Sequence, residues 1–304
     1  MIIKKIIKIN NIYLNKRLDK ILSILLPNYS RTYIKKIILN NKVKSNFKII
    51  NNPKKKIIKK TLIEIFLNKN IKKIKIQNIK LNILYEDKYI LIINKPSNFI
   101  VHPGYKNYNN TLINSLLYYN IYLIFINRIG LVHRLDKDTS GLIIIAKTFL
   151  TKKLFLNMFK NHKIIKQYKT IVEGKINING IINIPILRNK YNRIKMNINK
   201  NGKNAITYFK VLKKIKNYTE LKIQIKSGRT HQIRVHMLYI KHPIIGDKKY
   251  NLNKKSKKNF LNKINKQILH AYLIDFYHPI YGFNIKCYLK NTFDIIKLIN
   301  LLNK

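Results

Sequence analysis

This chain is short of several things. Its 304 residues include one cysteine, Cys287, and 11 acidic residues against 63 basic ones. One thiol cannot build an internal disulfide framework or a cysteine-based zinc site, and it fits a reducing compartment. So few acids supply poorly the paired carboxylates or metal ligands that a hydrolase wants. There is no glycine-rich phosphate loop among its 9 glycines. The longest apolar runs, such as 121–126 and 142–146, have the length of a strand or a core segment, not of a membrane span. The opening residues, M-I-I-K-K-I-I-K-I, break their apolar character with lysine, so they are neither a signal-peptide core nor an anchor. These absences predict a cytoplasmic protein with no membrane association, no metal and no cofactor.

What is abundant is positive charge. The net charge is +52, and 20 tyrosines and 12 phenylalanines accompany it. A densely anionic partner follows, with nucleic acid first. Lysine, asparagine and isoleucine are also the residues of AT-rich codons, so genome drift supplies a share of the lysine. The acid deficit and the aromatics still favour an RNA or DNA surface.

The length predicts a small domain and a large one. Residues 1–11 alternate weakly, as an edge strand does. Leu18, Ile21, Leu22 and Leu25 recur at helical spacing, and Pro27 ends that helix. Ser30 is placed to cap a second helix over 31–39, whose Arg31, Lys35 and Lys36 cluster on one side. Short strands follow near Val43 and over 62–66. Two helices and a small hairpin resemble the RNA-binding module named after a small-subunit ribosomal protein, the S-four type. We assign it to 1–68, with Arg17, Arg31, Lys35 and Lys36 as RNA contacts. Residues 69–80 read as a linker and 81–304 as a catalytic domain. There, 83–96 reads as strand, turn and strand; Thr111 caps a helix over 112–119; and 142–147 is a buried strand. Residues 150–160 and 230–239 read as helices, 167–173, 205–212, 218–226, 268–276 and 283–289 as strands, and 293–302 as a terminal helix. The class is α+β on a mainly antiparallel sheet.

Two windows concentrate the residues this chain uses sparingly. Only 8 of its 63 cations are arginine, so arginine stands where its planar fork is needed. Residues 128–141 hold Arg128, Gly130, His133, Arg134, Asp136, Asp138 and Gly141. Residues 228–247 hold Gly228, Arg229, His231, Arg234, His236, His242, Gly246 and Asp247. The clustering predicts that these two segments meet.

The motifs within them are similar to those of the RluA/RluD-type pseudouridine synthases. H-R-L-D-K-D-T-S-G-L at 133–142 resembles that family's catalytic motif. I-N-K-P with V-H-P-G, S-G-R-T-H-Q-I-R-V-H-M at 227–237 and H-P-I-I-G-D-K-K-Y at 242–250 resemble its flanking motifs in order. The resemblance covers about 80–290 and implies an isomerase that turns uridine into pseudouridine, in large-subunit ribosomal RNA. It puts the essential carboxylate on Asp136, its arginine partner on Arg229 and the active-site tyrosine on Tyr168. Arg134 would enter the space left by a flipped nucleotide. His231 and Arg234 are further RNA contacts.

The chemistry breaks an N-glycosidic bond, rotates the uracil and rejoins it through carbon. An ionised carboxylate can act as nucleophile or remove a sugar proton. Each assignment has a plainer reading: Asp136 as a turn acid, Arg229 as a phosphate contact, Tyr168 as strand core, Arg134 as a loop brace. Asp138 is the acid expected to cap the 139–141 turn. His231 and His236, five apart, suit one helix face poorly as metal ligands. Where relatives place a glycine before the threonine, N-Y-N-N-T at 107–111 has none, so that loop is expected to differ. Two other classes compete: a non-catalytic ribosome-assembly factor, and a carboxylate hydrolase using Asp136 and Asp138. The substrate is expected to be large-subunit rRNA or a pre-assembled subunit, and the enzyme a monomer.

Overall fold

The computed structural model describes residues 2–26, 29, 31–68, 74–104, 107–251, 264, 266–290 and 293–303. The proposed helix stop at Pro27, the cap at Ser30 and residues 69–73 of the expected linker lie outside the described residues. The chain divides after Ile74 into two compact units.

In the first unit, β1 (Ile2–Ile9), β2 (Val43–Ser45), β3 (Lys48–Ile49) and β4 (Thr61–Asn68) form an antiparallel sheet in the order β1-β4-β2-β3. Residues 2–9 are therefore an edge strand, as the weak alternation predicts. Ile63, Ile65 and Leu67 alternate along β4 and are fully buried. They join Leu18, Ile21 and Leu22 of α1 (Leu18–Leu25) and Ile34, Ile37 and Ile38 of α2 (Arg31–Leu39) in one core. The helical spacing read from the sequence is the spacing that packs.

The second unit is built on a nine-stranded sheet. Its strands are β5 (Ile83–Glu86), β6 (Ile90–Lys95), β7 (Ser140–Ala146), β8 (Ile165–Glu173), β9 (Gly180–Asn183), β12 (Ile206–Ile215), β13 (Tyr218–Ile225), β14 (Leu269–Tyr277) and β15 (Asn284–Tyr288). They run β5-β6-β7-β14-β8-β13-β12-β9, with β15 on β14. A separate hairpin pairs β10 (Ile186–Arg188) with β11 (Met196–Ile198). Every pairing is antiparallel except β7 with β14. There Gly141 has φ +113°, and a Cβ would lie 2.2 Å from the Ala271 carbonyl oxygen. Only glycine fits that approach.

β7 is almost wholly buried, so it packs on both faces. Leu142, Ile144 and Ala146 meet Phe155 of α4 (Phe149–Lys160), and Ile143 and Ile145 alternate to the other face. Ile233 and Met237 of α5 (Gln232–Tyr239) join Tyr168 and Leu269 in a second cluster. α3 (Leu112–Tyr119) starts on the Thr111 cap: the Asn114 side chain accepts from the Thr111 N–H at 2.9 Å. α6 (Phe293–Asn303) closes the chain and packs on Ile171 and Ile245.

Three features depart from the reading of the sequence. Strands β9 to β11 were not expected; at three or four residues each, they are too short to show alternation. The helix read from 230 begins at Gln232, because His231 is left-handed with φ +54°. Residues 75–80 carry no regular structure and belong to the second unit: Gln77 and Asn110 bond through both side chains and a backbone N–H, and Asn114 donates to the Lys75 carbonyl.

Candidate active site

The 133–139 loop enters β7 from a set of buried anchors. His133 Nε2 accepts the Ile144 N–H at 2.8 Å, and burial pushes this imidazole down to about 3, so it is the neutral acceptor that bond requires. Lys95 is fully buried. Its ammonium donates to the carbonyls of Pro96, Phe99 and Lys137 at 2.7, 2.9 and 3.0 Å. Burial pulls Lys95 down to about 7 against the opposing charges of Asp138 and Asp136. The Gln267 side chain donates to Thr139 Oγ1. The loop that carries Asp136 is thus anchored at His133, Lys137 and Thr139.

The two sparse-residue windows do meet. Arg234 Nη1 donates to Asp136 Oδ2 at 2.8 Å. Arg234 is 4 % exposed, and its other two nitrogens bind Asp247 at 2.6 and 2.7 Å. Burial opposes the guanidinium charge, but the two carboxylates overcome it and hold the group above its ordinary pKa. The pairing corrects two expectations. Arg234, expected as an RNA contact, is buried and bonded to Asp136. Arg229, expected in that role, is exposed; its Nε donates to the Asn204 carbonyl, and it lines the cleft without an ion pair to Asp136. Arg234 lies within α5, whereas Arg229 precedes the left-handed His231 that caps it. Asp136 Oδ1 accepts no hydrogen bond from the described residues.

Gln232 locks this geometry. Its side-chain oxygen accepts from Ser227 and from the Arg229 N–H, and its nitrogen donates to the Ile206 carbonyl and Thr207. His231 Nε2 lies 3.7 Å from Asp136 Oδ2, and its Nδ1 lies 2.7 Å from the Tyr250 hydroxyl. Burial, only partly offset by Asp136, pushes His231 down to about 4, so its contact with Asp136 is polar, not an ion pair. Tyr250 also accepts from the Met196 N–H at 2.8 Å.

A cleft of about 60 Å³ opens over Asp136, lined by Arg134, Tyr168, Arg229, His231 and Leu269 among others. Tyr168 stands on β8, 7 % exposed, and burial with the Asp136 charge raises its phenol well above its ordinary value. At neutral pH it is a protonated ring, suited to stacking and hydrogen-bond donation. Arg134 is exposed at the cleft. Asp138 makes none of the turn hydrogen bonds expected of it among the described residues; the bond closing that turn runs from the Thr139 N–H to the Asp136 carbonyl.

This architecture matches known proteins. Residues 89–239 match the RNA pseudouridylate synthase family and residues 16–58 the S4 domain. A protein named ribosomal large subunit pseudouridine synthase D from Blochmanniella floridana is 43 % identical, over 95 % of each chain. The chain belongs to the RNA pseudouridine synthase family. The enzyme is also similar to the protein of the same name from Haemophilus influenzae, at 37 % identity over 95 % of this chain and 92 % of that one. The solved structure of human RNA pseudouridylate synthase domain containing 4 shares the fold, with a TM-score of 0.56, 22 % identity and coverage of 73 % of this chain and 92 % of that one.

In the S4 domain, three of the four cations expected on RNA, Arg17, Arg31 and Lys35, gather around one acid. Asp19 is fully buried. Arg17 and Arg31 each bind it through two nitrogens, between 2.8 and 3.2 Å, and Lys35 stands 4.0 Å away. Burial pushes the Asp19 carboxyl up, and the two guanidiniums overcome this and hold it below the usual range. Lys36 is exposed. Arg17, Arg31 and Lys35 keep partly exposed side chains but are oriented by Asp19 first. Neither Asp247 nor Lys95 was read as part of the site. Asp247 lies in the second window and carries a signal in its rarity; Lys95 carries none in a chain so rich in lysine.

Proposed function

We propose that this enzyme converts uridine to pseudouridine in large-subunit ribosomal RNA, with Asp136 as the reacting carboxylate. One observation carries the reading. Asp136 lines the cleft with one oxygen held by a buried arginine that is itself fixed by Asp247, while its other oxygen accepts no hydrogen bond from the described residues. Such a carboxylate is held in one orientation by a partner that is itself held in place.

The reaction breaks the N1–C1′ bond and forms C5–C1′. The hydrogen on C5 leaves as a proton, N1 gains one, and no electrons are transferred to or from the base. The rearrangement is therefore redox-neutral and needs no electron carrier. Asp136 serves either route, as nucleophile at C1′ or as base toward a sugar proton. Tyr168 lies against the uracil and Arg134 fills the space of the extruded nucleotide. Arg229 contacts the strand, with Lys36 and the S4 domain adding affinity. Ribosomal RNA as substrate implies a cytoplasmic enzyme, and one chain holds Asp136, Arg234 and Tyr168, so a monomer suffices.

The test is tritium release from 5-tritiated uridine in large-subunit rRNA transcripts and in pre-assembled subunits. Wild type should release tritium and Asp136→Asn should not, with RNA binding retained. Equal release by both would overturn the assignment. Binding should weaken steeply with salt, by about one unit of log–log slope for each phosphate neutralised.

A further inference from the structure

A second cavity, of about 350 Å³, lies between the β10–β11 hairpin and α5. It shares no lining residue with the cleft over Asp136. Met196, Leu238 and the rings of Tyr239 and Tyr250 give it an apolar wall. Tyr250 joins the two spaces. Its ring lines this cavity, its hydroxyl bonds His231 of the catalytic cleft, and the Arg234 guanidinium sits 5.0 Å from its ring centre.

We propose that this cavity takes an unpaired nucleobase of the substrate RNA, next in the strand to the target uridine. The proposal rests on the isomerase reading above. Single-stranded RNA is recognised by stacking on aromatic rings and by hydrogen bonds to exposed base edges. Tyr239, 53 % exposed, offers the ring. Asn197 and Asn189 offer amides; the Asn189 oxygen already accepts from the Tyr191 and Asn192 N–H groups, so its NH2 is left to donate. Lys195 and Lys249 line the same space and suit the flanking phosphates. The size falls in the range of small-ligand pockets, and the two lysines favour a strand of nucleic acid over an apolar ligand. A base seated there fixes the Tyr250 ring, and through it His231 and Arg234, beside Asp136. Recognition of the neighbour is thereby coupled to the geometry of the reacting carboxylate.

The experiment uses the full-length enzyme and an rRNA fragment carrying 5-tritiated target uridine, intact or with an abasic residue on either side. Leu238→Trp fills the cavity, and Asn197→Ala removes an exposed amide. Wild type should lose roughly tenfold in kcat/KM when one flanking base is removed. Leu238→Trp should lose a similar factor on the intact fragment and little more on the abasic one. Asn197→Ala should lose roughly fivefold on the intact fragment and nothing further on the abasic one. Losses that multiply for both variants, or wild-type indifference to both abasic fragments, would overturn the proposal. If Leu238→Trp unfolds, Asn197→Ala alone decides. If wild type releases no tritium from any RNA, the isomerase reading fails. The cavity is then judged by equilibrium binding, where the same variants must weaken affinity for the intact fragment and not for the abasic one.

Discussion

Asp19 and Asp136 stand in different units, and each is met by arginine. At Asp19 both oxygens are occupied: Arg17 reaches both, Arg31 adds two bonds, and the acid has no exposed surface. At Asp136, a residue of the cleft, one oxygen is held and the other accepts no hydrogen bond from the described residues, and the side chain keeps 18 % exposure. The arginines differ as well. Those on Asp19 are partly solvated, at 32 and 42 % exposure; Arg234 is buried and its other two nitrogens each donate to Asp247. A carboxylate whose bonds are all used holds structure together. One that is anchored through a single oxygen keeps the other for chemistry.

Exchanging each acid should separate these roles. Asp136→Asn should reduce tritium release by on the order of 10³-fold or more while RNA affinity holds. Asp19→Asn should leave the single-turnover rate of bound RNA unchanged; a rate loss matching that of Asp136→Asn would erase the distinction. Next in size is Arg234→Lys. An ammonium cannot bridge Asp136 and Asp247 with a planar fork, so kcat should fall by about 10²-fold with a smaller change in KM. Asp19→Ala should destabilise the S4 domain by about 1–2 kcal/mol, less than for a fully buried pair because its arginines are half-solvated; chemical denaturation followed by tyrosine fluorescence checks it. The smallest effect is on pH. The Asp19 carboxyl is held lower in the folded than in the unfolded chain. Its contribution is therefore complete above the unfolded value of about 3.9 and is lost as pH falls through the lower folded value. Thermal melts below pH 4 should show this acid loss in wild type and a flatter response in Asp19→Asn.

Much of the fold could be read from the chain because apolar spacing and packing agree. Leu18, Ile21 and Leu22 recur at helical spacing and are buried together, and 142–146 is a continuous apolar run because β7 is covered on both faces. Asp136 and Tyr168 were singled out by their motifs, and both line one cleft. The arginine bonded to Asp136 was not foreseen, because Arg229 and Arg234 stand in one motif and spacing does not say which of them reaches the carboxylate. Lys95 was hidden by composition: where lysine is the default surface residue, a buried one looks like the rest. Asp19 could have been noticed, since an acid in a chain with 11 of them seldom stands by chance among three cations.

The place of β14 in the sheet has a consequence for synthesis. β7 and β8 follow one another in sequence, yet β14, roughly a hundred residues later, lies between them. The sheet cannot close until residues 269–277 have left the ribosome, and such distant pairing is slow to form. The first unit ends at Ile74, long before β14 begins, and its β1–β4 pairing, from Ile2 with Asn68 to Ile9 with Thr61, lies wholly within it. At ~5–20 residues per second, the growing chain carries a finished RNA-binding module for on the order of ten seconds or more before it owns an active site. A chain cut before residue 269 is expected to keep the module and to be catalytically inert.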